Sequence, residues 1–357
     1  MGRNTMYQIT PFGTLADGSE VSQYTLINHQ GATASFVDLG GTWTGMTVPD
    51  KNGTMADVLL GHDTVEGCLV DGGHLGEIVG RNANRIGGAK FTLNGVTYEL
   101  AVNNGPNNLH SGPDFYRNRI WAAKVTEAER ETSIAFSLES PDGDQGYPGN
   151  LSITVTYTLT DENELKIHYE ATGDQDTICN FTNHAYFNLA GHDSGDAMDQ
   201  LAWIDADTIT AADEVSIPTG ELRSVKGTPM DFTEKKVIGR DINQEYDQLS
   251  YGGGYDHNWV LNHAPGKLAL SAKAWDEKSG RTMEVYTDLP GIQFYTANFL
   301  GSKVPAKGGV SYGPRQAYCF ETQYFPDAIN KPQFPSPILR KGEKYDTTTI
   351  YKFGVEK

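Results

Sequence analysis

Apolar and polar residues alternate with a period of two over much of the chain. The clearest run is 151–159, where Leu151, Ile153, Val155, Tyr157 and Leu159 fall on one side and serines or threonines on the other. After Thr160-Asp-Glu-Asn163 the alternation resumes with Leu165, Ile167, Tyr169 and Ala171. Successive side chains of a strand point to opposite faces, so this stretch predicts a hairpin with one buried face. Residues 91–100 predict a second hairpin, with Asn94-Gly95 supplying the positive φ angles of a two-residue turn. Residues 268–289 read as strand, turn Asp276–Gly280, strand. Short β-like runs at 32–48 are broken by Gly40-Gly41, and further strands are expected near 291–298, 315–325 and 345–355. Helical spacing is confined to Ile242, Tyr246 and Leu249, within 238–250. The expectation is an all-β chain: one large antiparallel β-sandwich with few short helices, 1–357 forming a single domain.

Composition narrows the choices. Forty glycines and sixteen prolines fit a chain with many turns. A length of 357 residues suggests two domains on average, but all-β domains often run long as one unit. With 28 basic against 46 acidic residues the net charge is −18, which argues against nucleic acid as a partner and makes a neutral small molecule a better substrate than a polyanion. Cys68, Cys179 and Cys319 show no CxxC spacing and read as free thiols of a reducing, cytoplasmic protein. No apolar leader is visible at the start, and no apolar run approaches the ~20 residues of a membrane span. Nothing in the pattern decides between a monomer and a homodimer.

Dinucleotide, P-loop, zinc-protease and GxSxG motifs are missing, and His62 and His74 lack spaced partners that would argue for zinc. Gly252-Gly-Gly254 reads as a turn. Polar residues cluster instead in five stretches: Gly80-Arg-Asn-Ala-Asn-Arg-Ile86, Asn103-Asn-Gly-Pro-Asn-Asn-Leu-His110, Asn180-Phe-Thr-Asn-His-Ala-Tyr-Phe-Asn-Leu189, Gly254-Tyr-Asp-His-Asn-Trp259 and Tyr318–Asp327. As a strand, 179–189 would put Asn180, Thr182, His184, Tyr186 and Asn188 on one face. Cys179, Phe181, Ala185, Phe187 and Leu189 would take the other, with Asn183 the exception. In the last stretch Cys319, Glu321 and Gln323 share a face. Glu321, flanked by aromatic residues, is costly to bury without partners, so it needs hydrogen bonds or a function.

These stretches, with Ser140-Pro-Asp-Gly…Gly146-Tyr-Pro-Gly149 and Phe334-Pro-Ser336, occur in the order seen in the aldose 1-epimerase (galactose mutarotase) family, which the chain resembles from about residue 8 to its C-terminus. The resemblance implies the family's β-supersandwich fold. It implies α/β interconversion of free hexoses such as D-galactose and D-glucose through the open-chain aldehyde, with no metal or other cofactor. Carried over residue by residue, Glu321 would be the base and His184 the acid at the ring oxygen. His110 would hydrogen-bond near the ring oxygen or C1, and the division of acid duty between the two histidines stays open. Asn84, Arg85, Asp256, Gln293 and Tyr186 would bind the sugar. Two departures stand out: Ser111-Gly-Pro-Asp-Phe-Tyr116 replaces the usual Gly-rich continuation, and Tyr324 stands where His is common. The alternatives are a hexose-6-phosphate mutarotase, using Arg81, Arg85 or Arg315 for the phosphate, and a non-catalytic carbohydrate-binding β-sandwich.

Overall fold

A computed structural model describes residues 5–357. The predicted hairpins are present. Leu151–Thr160 pairs antiparallel with Glu164–Gly173, and Lys90–Leu93 pairs with Val96–Glu99 across Asn94 (φ 52°) and Gly95 (φ 77°). Left-handed backbone at both central residues is the geometry a two-residue turn needs. Strands Ala269–Trp275 and Arg281–Thr287 flank the Asp276–Gly280 turn as expected.

Three large antiparallel sheets are formed. A nine-stranded sheet runs in the order Ala122–Glu127, Glu131–Ser140, Leu151–Thr160, Glu164–Gly173, Lys344–Val355, Arg281–Thr287, Ala269–Trp275, Leu201–Ile204, Lys236–Val237. A five-stranded sheet takes the N-terminal strands Tyr7–Thr14, Glu20–Ile27, Thr33–Val37, Thr42–Pro49 and Met55–Asp57 in chain order. A second five-stranded sheet runs Pro218–Ser224, Thr208–Ala212, Asp256–Val260, Gly291–Tyr295, Cys319–Gln323. The long strands of the large sheet alternate buried and half-exposed, so only one face is packed. Both smaller sheets contribute to the core against that face: Phe36 lies 4.4 Å from Tyr157 between ring centroids, and the Tyr351 hydroxyl donates to the Phe320 carbonyl at 2.6 Å.

The segment 177–189 differs from its expected form. It is not one half-exposed strand. It is an extended thread, buried on both faces, holding only the two-residue strands Thr177–Ile178 and Thr182–Asn183. Its backbone changes partners as it goes: Asn180 with Arg81 and Ala83, His184 with Glu77 and Gly76, Tyr186 with Leu60, Phe187 with Tyr318, Asn188 with Val58. Burial on all sides favours partners for its polar side chains, although Thr182 Oγ1 and Asn183 Oδ1 find none among the described residues. The Asn183 amide donates to the Gly76 carbonyl and the Tyr157 hydroxyl, and the Asn188 amide to the carbonyls of Gly195 and Gln316. Phe181 is sealed among Tyr116, Tyr169 and Tyr345.

The helix expected over 238–250 shrinks to Asp247–Gly252, ended by Gly253 at φ 68°. Ile242 and Leu249 are buried through tertiary packing, not along a continuous helical face. A second six-residue helix, Val65–Val70, lies where no helix was expected. Among the described residues no helix is long and apolar enough to cross a membrane.

Candidate active site

Three adjacent strands of the second five-stranded sheet build one wall of a cavity of about 410 Å³. Register places Gln293 opposite Glu321 and Asn258 opposite Gln293, with Asp256 two residues along the same face. Alternation sends Trp259, Phe294 and Phe320 to the other side, where Phe294 and Phe320 stack at 4.8 Å in the core. The wall is therefore set by packing: the aromatic face fixes the strands, and the polar face is left for a ligand. Its amides are tied together. Gln293 donates to Asp256 Oδ1 at 2.9 Å, and Gln323 donates to Gln293 Oε1 at 2.9 Å and to Asn258 Oδ1 at 3.1 Å. The Asn84 amide donates to Gln323 Oε1 at 3.4 Å.

The buried thread supplies the opposite side. His184 is pinned through its backbone to Glu77 and Gly76, and its ring stacks on Tyr186 at 5.1 Å. The Tyr186 hydroxyl is committed to the Gly73 carbonyl at 2.6 Å, so Tyr186 lines the cavity chiefly with its ring. His184 Nε2 lies 3.3 Å from Glu321 Oε1, and Nδ1 lies 3.7 Å from the Cys319 thiol. His110 completes the group: a ligand atom of each of His110, His184 and Glu321 falls within 4.8 Å of the others. Asn84 and His110 lock each other, since each backbone N–H donates to the other residue, Asn84 to His110 Nδ1 at 3.0 Å and His110 to the Asn84 carbonyl at 2.9 Å. Because Nδ1 accepts, the neutral His110 ring carries its hydrogen on Nε2. Both residues hold left-handed backbone, φ 61° and 54°, a conformation that costs a non-glycine residue and clusters at functional sites. Arg85 Nε is steadied by Asn104 Oδ1 at 2.9 Å.

All eight expected site residues thus line one cavity. Arg81 and Arg315 do not. The Arg81 guanidinium is wholly buried and spent on the carbonyls of Pro148, Gly149 and Ser140, while Arg315 donates to the Gly253 carbonyl. His257, in the same stretch as Asp256, faces the Trp259 side. Sequence alone assigns no role to His74, yet its ring lines the cavity 5.0 Å from His110 and 5.6 Å from His184. Its one sequence signal is Glu77 three residues on, whose carboxylate meets Nδ1 at 2.9 Å.

Burial dominates the electrostatics. It pushes the Glu321 carboxyl well above its ordinary range, the nearby Asp256 adding to the effect and Arg85 opposing it. It raises Asp256 as well, against Arg85 and the Gln293 hydrogen bond. It pushes His184 down to about 3, helped by His74 and opposed by Glu77, and holds His110 well below its usual value, with His74, His184 and Arg85 contributing. Desolvation outweighs the anionic Glu77 at His184. Burial thus drives Glu321 and His184 both toward their neutral forms. Two imidazoles and a carboxylate could also ligate a divalent cation. The same set can hold and move a proton between two oxygens of one small ligand.

An aldose 1-epimerase family model matches residues 22–352. Galactose mutarotase of Bos taurus is 42% identical over 344 residues, covering 96% of this chain and 97% of its own length. Aldose 1-epimerase of Escherichia coli K12 is 37% identical over 342 residues, covering 95% and 97%. A solved aldose epimerase homologue from C. elegans superposes with TM-score 0.84 at 33% identity, covering 93% of this chain and 98% of its own. Galactose 1-epimerase from Lactobacillus acidophilus superposes at 0.85 with 26% identity, covering 98% and 99%.

Proposed function

The chain belongs to the aldose 1-epimerase family, and from that membership we propose that it interconverts the α and β anomers of free hexoses such as D-galactose and D-glucose by proton transfer at O1 and O5. The observation that carries the assignment of roles is the convergence of Glu321, His184 and His110 on one cavity, with His184 Nε2 and Glu321 Oε1 3.3 Å apart.

In this reading the Glu321–His184 pair carries one proton. With the proton on His184, the Glu321 carboxylate takes the hydrogen of the C1 hydroxyl while His184 gives its own to the ring oxygen. The C1–O5 bond breaks and the aldehyde forms. The sugar gains one proton and loses one, and the pair is left as carboxylic acid and neutral imidazole. Those are the forms that burial favours. Rotation about C1–C2 and the reverse transfers close the ring on the other face. Each well-placed acid or base is worth roughly 10²–10⁴-fold. His110, donating from Nε2, steadies the oxygen on which charge develops. Arg85, Asn84, Asp256 and Gln293 grip the remaining hydroxyls, which both donate and accept, and Tyr186 offers its ring as a platform.

A sugar phosphate fits less well. Asp256 and Glu321 share the cavity, and of the three arginines considered for the phosphate only Arg85 lines it. A purely binding role leaves the buried acid–base set without a purpose. The free cysteines, two of them buried, suit a reducing cytoplasm. Polarimetry on freshly dissolved α-D-galactose tests the proposal: the approach to equilibrium accelerates with enzyme concentration, and a rate that stays at the buffer background refutes it.

A further inference from the structure

Three histidines face the cavity, and the third has a holder of its own. His74 Nδ1 lies 2.9 Å from Glu77 Oε2, both side chains being buried. The other Glu77 oxygen accepts from Arg117 Nη1 at 3.0 Å, which also donates to the Asp71 carbonyl at 2.8 Å. Arg117 lies over the Phe115 ring at 4.8 Å, and Phe115 packs edge-on against His74 at 4.9 Å. The segment 111–116, which departs from the family pattern in sequence, thus supplies the aromatic side of the His74 seat and leads into the arginine behind it. Gly112 makes this possible, since a Cβ there would stand 2.4 Å from the Phe115 ring. His74 itself holds left-handed backbone at φ 63°. A conformation that costs a non-glycine residue, a buried carboxylate and an arginine are all engaged in aiming one imidazole.

A carboxylate only accepts hydrogen bonds, so Nδ1 carries the hydrogen and donates to Glu77. Nε2 is then the working nitrogen, and it has no hydrogen-bond partner among the described residues. This is the arrangement by which a carboxylate fixes the tautomer of a catalytic histidine. We propose that His74 is a further catalytic residue of the site, a Glu77-held imidazole whose Nε2 accepts a hydrogen bond from a hydroxyl of the bound sugar. The inference rests on the aldose 1-epimerase reading above. The hydroxyl keeps its proton and donates it in a hydrogen bond to Nε2 while Nδ1–H donates to Glu77, so the proton exchange at O1 and O5 is unchanged. The groups facing His74 are His110, His184, Tyr186 and Glu321 across the cavity and Lys303 at the rim. Glu77, Arg117 and Asp71 lie on its own side, with His62 and Cys68 behind Glu77. Glu77 stays ionised despite burial because His74 and Arg117 offset the desolvation.

Two amide substitutions separate a catalytic role from a structural one. The His74→Gln amide reaches the place of Nε2, and the His74→Asn amide reaches only that of Nδ1. The expected result on α-D-galactose is a fall in kcat/KM of roughly tenfold or more for His74→Phe, recovery of most of that loss in His74→Gln, whose amide oxygen can accept the same hydrogen bond, and none in His74→Asn. The loss should fall on kcat more than on KM. Activity of His74→Phe within threefold of wild type, or His74→Asn equal to or above His74→Gln, overturns the proposal. A wild type inert on every aldose overturns the functional reading instead. Should the variants fail to fold, wild type labelled with ¹⁵N-histidine is titrated with D-galactose. A shift of the His74 Nε2 resonance at saturation is expected, and an unmoved resonance overturns the contact.

Discussion

Replacing Glu321 by Gln keeps the shape of the side chain and removes its ability to take a proton. Two effects of opposite sign should follow. Loss of the base should lower kcat by ~10²–10⁴-fold, about 3–5 kcal/mol of barrier, with sugar binding largely kept because Asp256, Gln293 and Arg85 are untouched. Stability should move the other way. Below about pH 4.5 the carboxyl is protonated in both folded and unfolded chains, and it contributes nothing to pH dependence. As pH rises, the unfolded chain ionises first, because burial and Asp256 hold the folded group's pKa up. The wild type therefore loses stability at up to about 1.4 kcal/mol per pH unit until the folded carboxyl ionises too. The Gln variant has no such loss. For a chain of 357 residues that slope corresponds to about 2 °C in Tm per pH unit. Polarimetry gives the turnover, and thermal melts at pH 5 and pH 8 give the stability. Turnover within tenfold of wild type, or a Tm advantage of the variant that shrinks between pH 5 and pH 8, would refute the reasoning.

Asp256→Asn removes a like charge that raises Glu321. The alkaline limb of kcat/KM, where the Glu321–His184 pair loses its single proton, should move to lower pH, and KM should rise roughly tenfold or more as a charged hydrogen bond is lost; a limb that moves up or stays put contradicts the assignment. Phe181→Ala empties a fully buried site among three tyrosines and should cost about 3–5 kcal/mol, read as a lower denaturant midpoint at unchanged slope; a cost under 1 kcal/mol would mean that the thread is not anchored there. Turnover should be unchanged after dialysis against EDTA, since the proposed steps use only side-chain protons; activity lost to EDTA and restored by a divalent ion would reassign His110, His184 and Glu321 as ligands.

The parts of the fold open to reading from sequence are those set by local chemistry. Asn94-Gly95 encodes its own turn, and the 151–171 alternation encodes a sheet with one wet face. The stretch around His184 obeys neither rule. Its polar side chains are not wet: Asn180, Asn183 and Asn188 point into protein and bond to backbone from distant segments. Their polarity therefore reads as exposure when it means the reverse. The helix expected near 238–250 failed for a related reason, since Ile242 and Leu249 are buried by neighbouring sheets and not by a helical stripe. At the site, the alternation of Cys319, Glu321 and Gln323 placed the carboxylate on the right face. The order of the motifs brought in Asn84, Arg85, His110 and Asp256, which no local pattern connects, and Gln293 came only from the family resemblance. His74 escaped because its significance lies in Arg117 and Phe115, some forty residues away and joined to it only by the fold.

The central claim is that Glu321 and His184 exchange protons with O1 and O5 of a free hexose. A crystal structure of the protein with D-galactose tests it most directly. The account predicts O1 within about 2.6–3.2 Å of the Glu321 carboxyl and O5 within the same reach of His184 Nε2, with Asp256, Gln293 and Arg85 on the other hydroxyls. A sugar bound with C1 turned toward Arg85 and Asn104, away from Glu321, would contradict it.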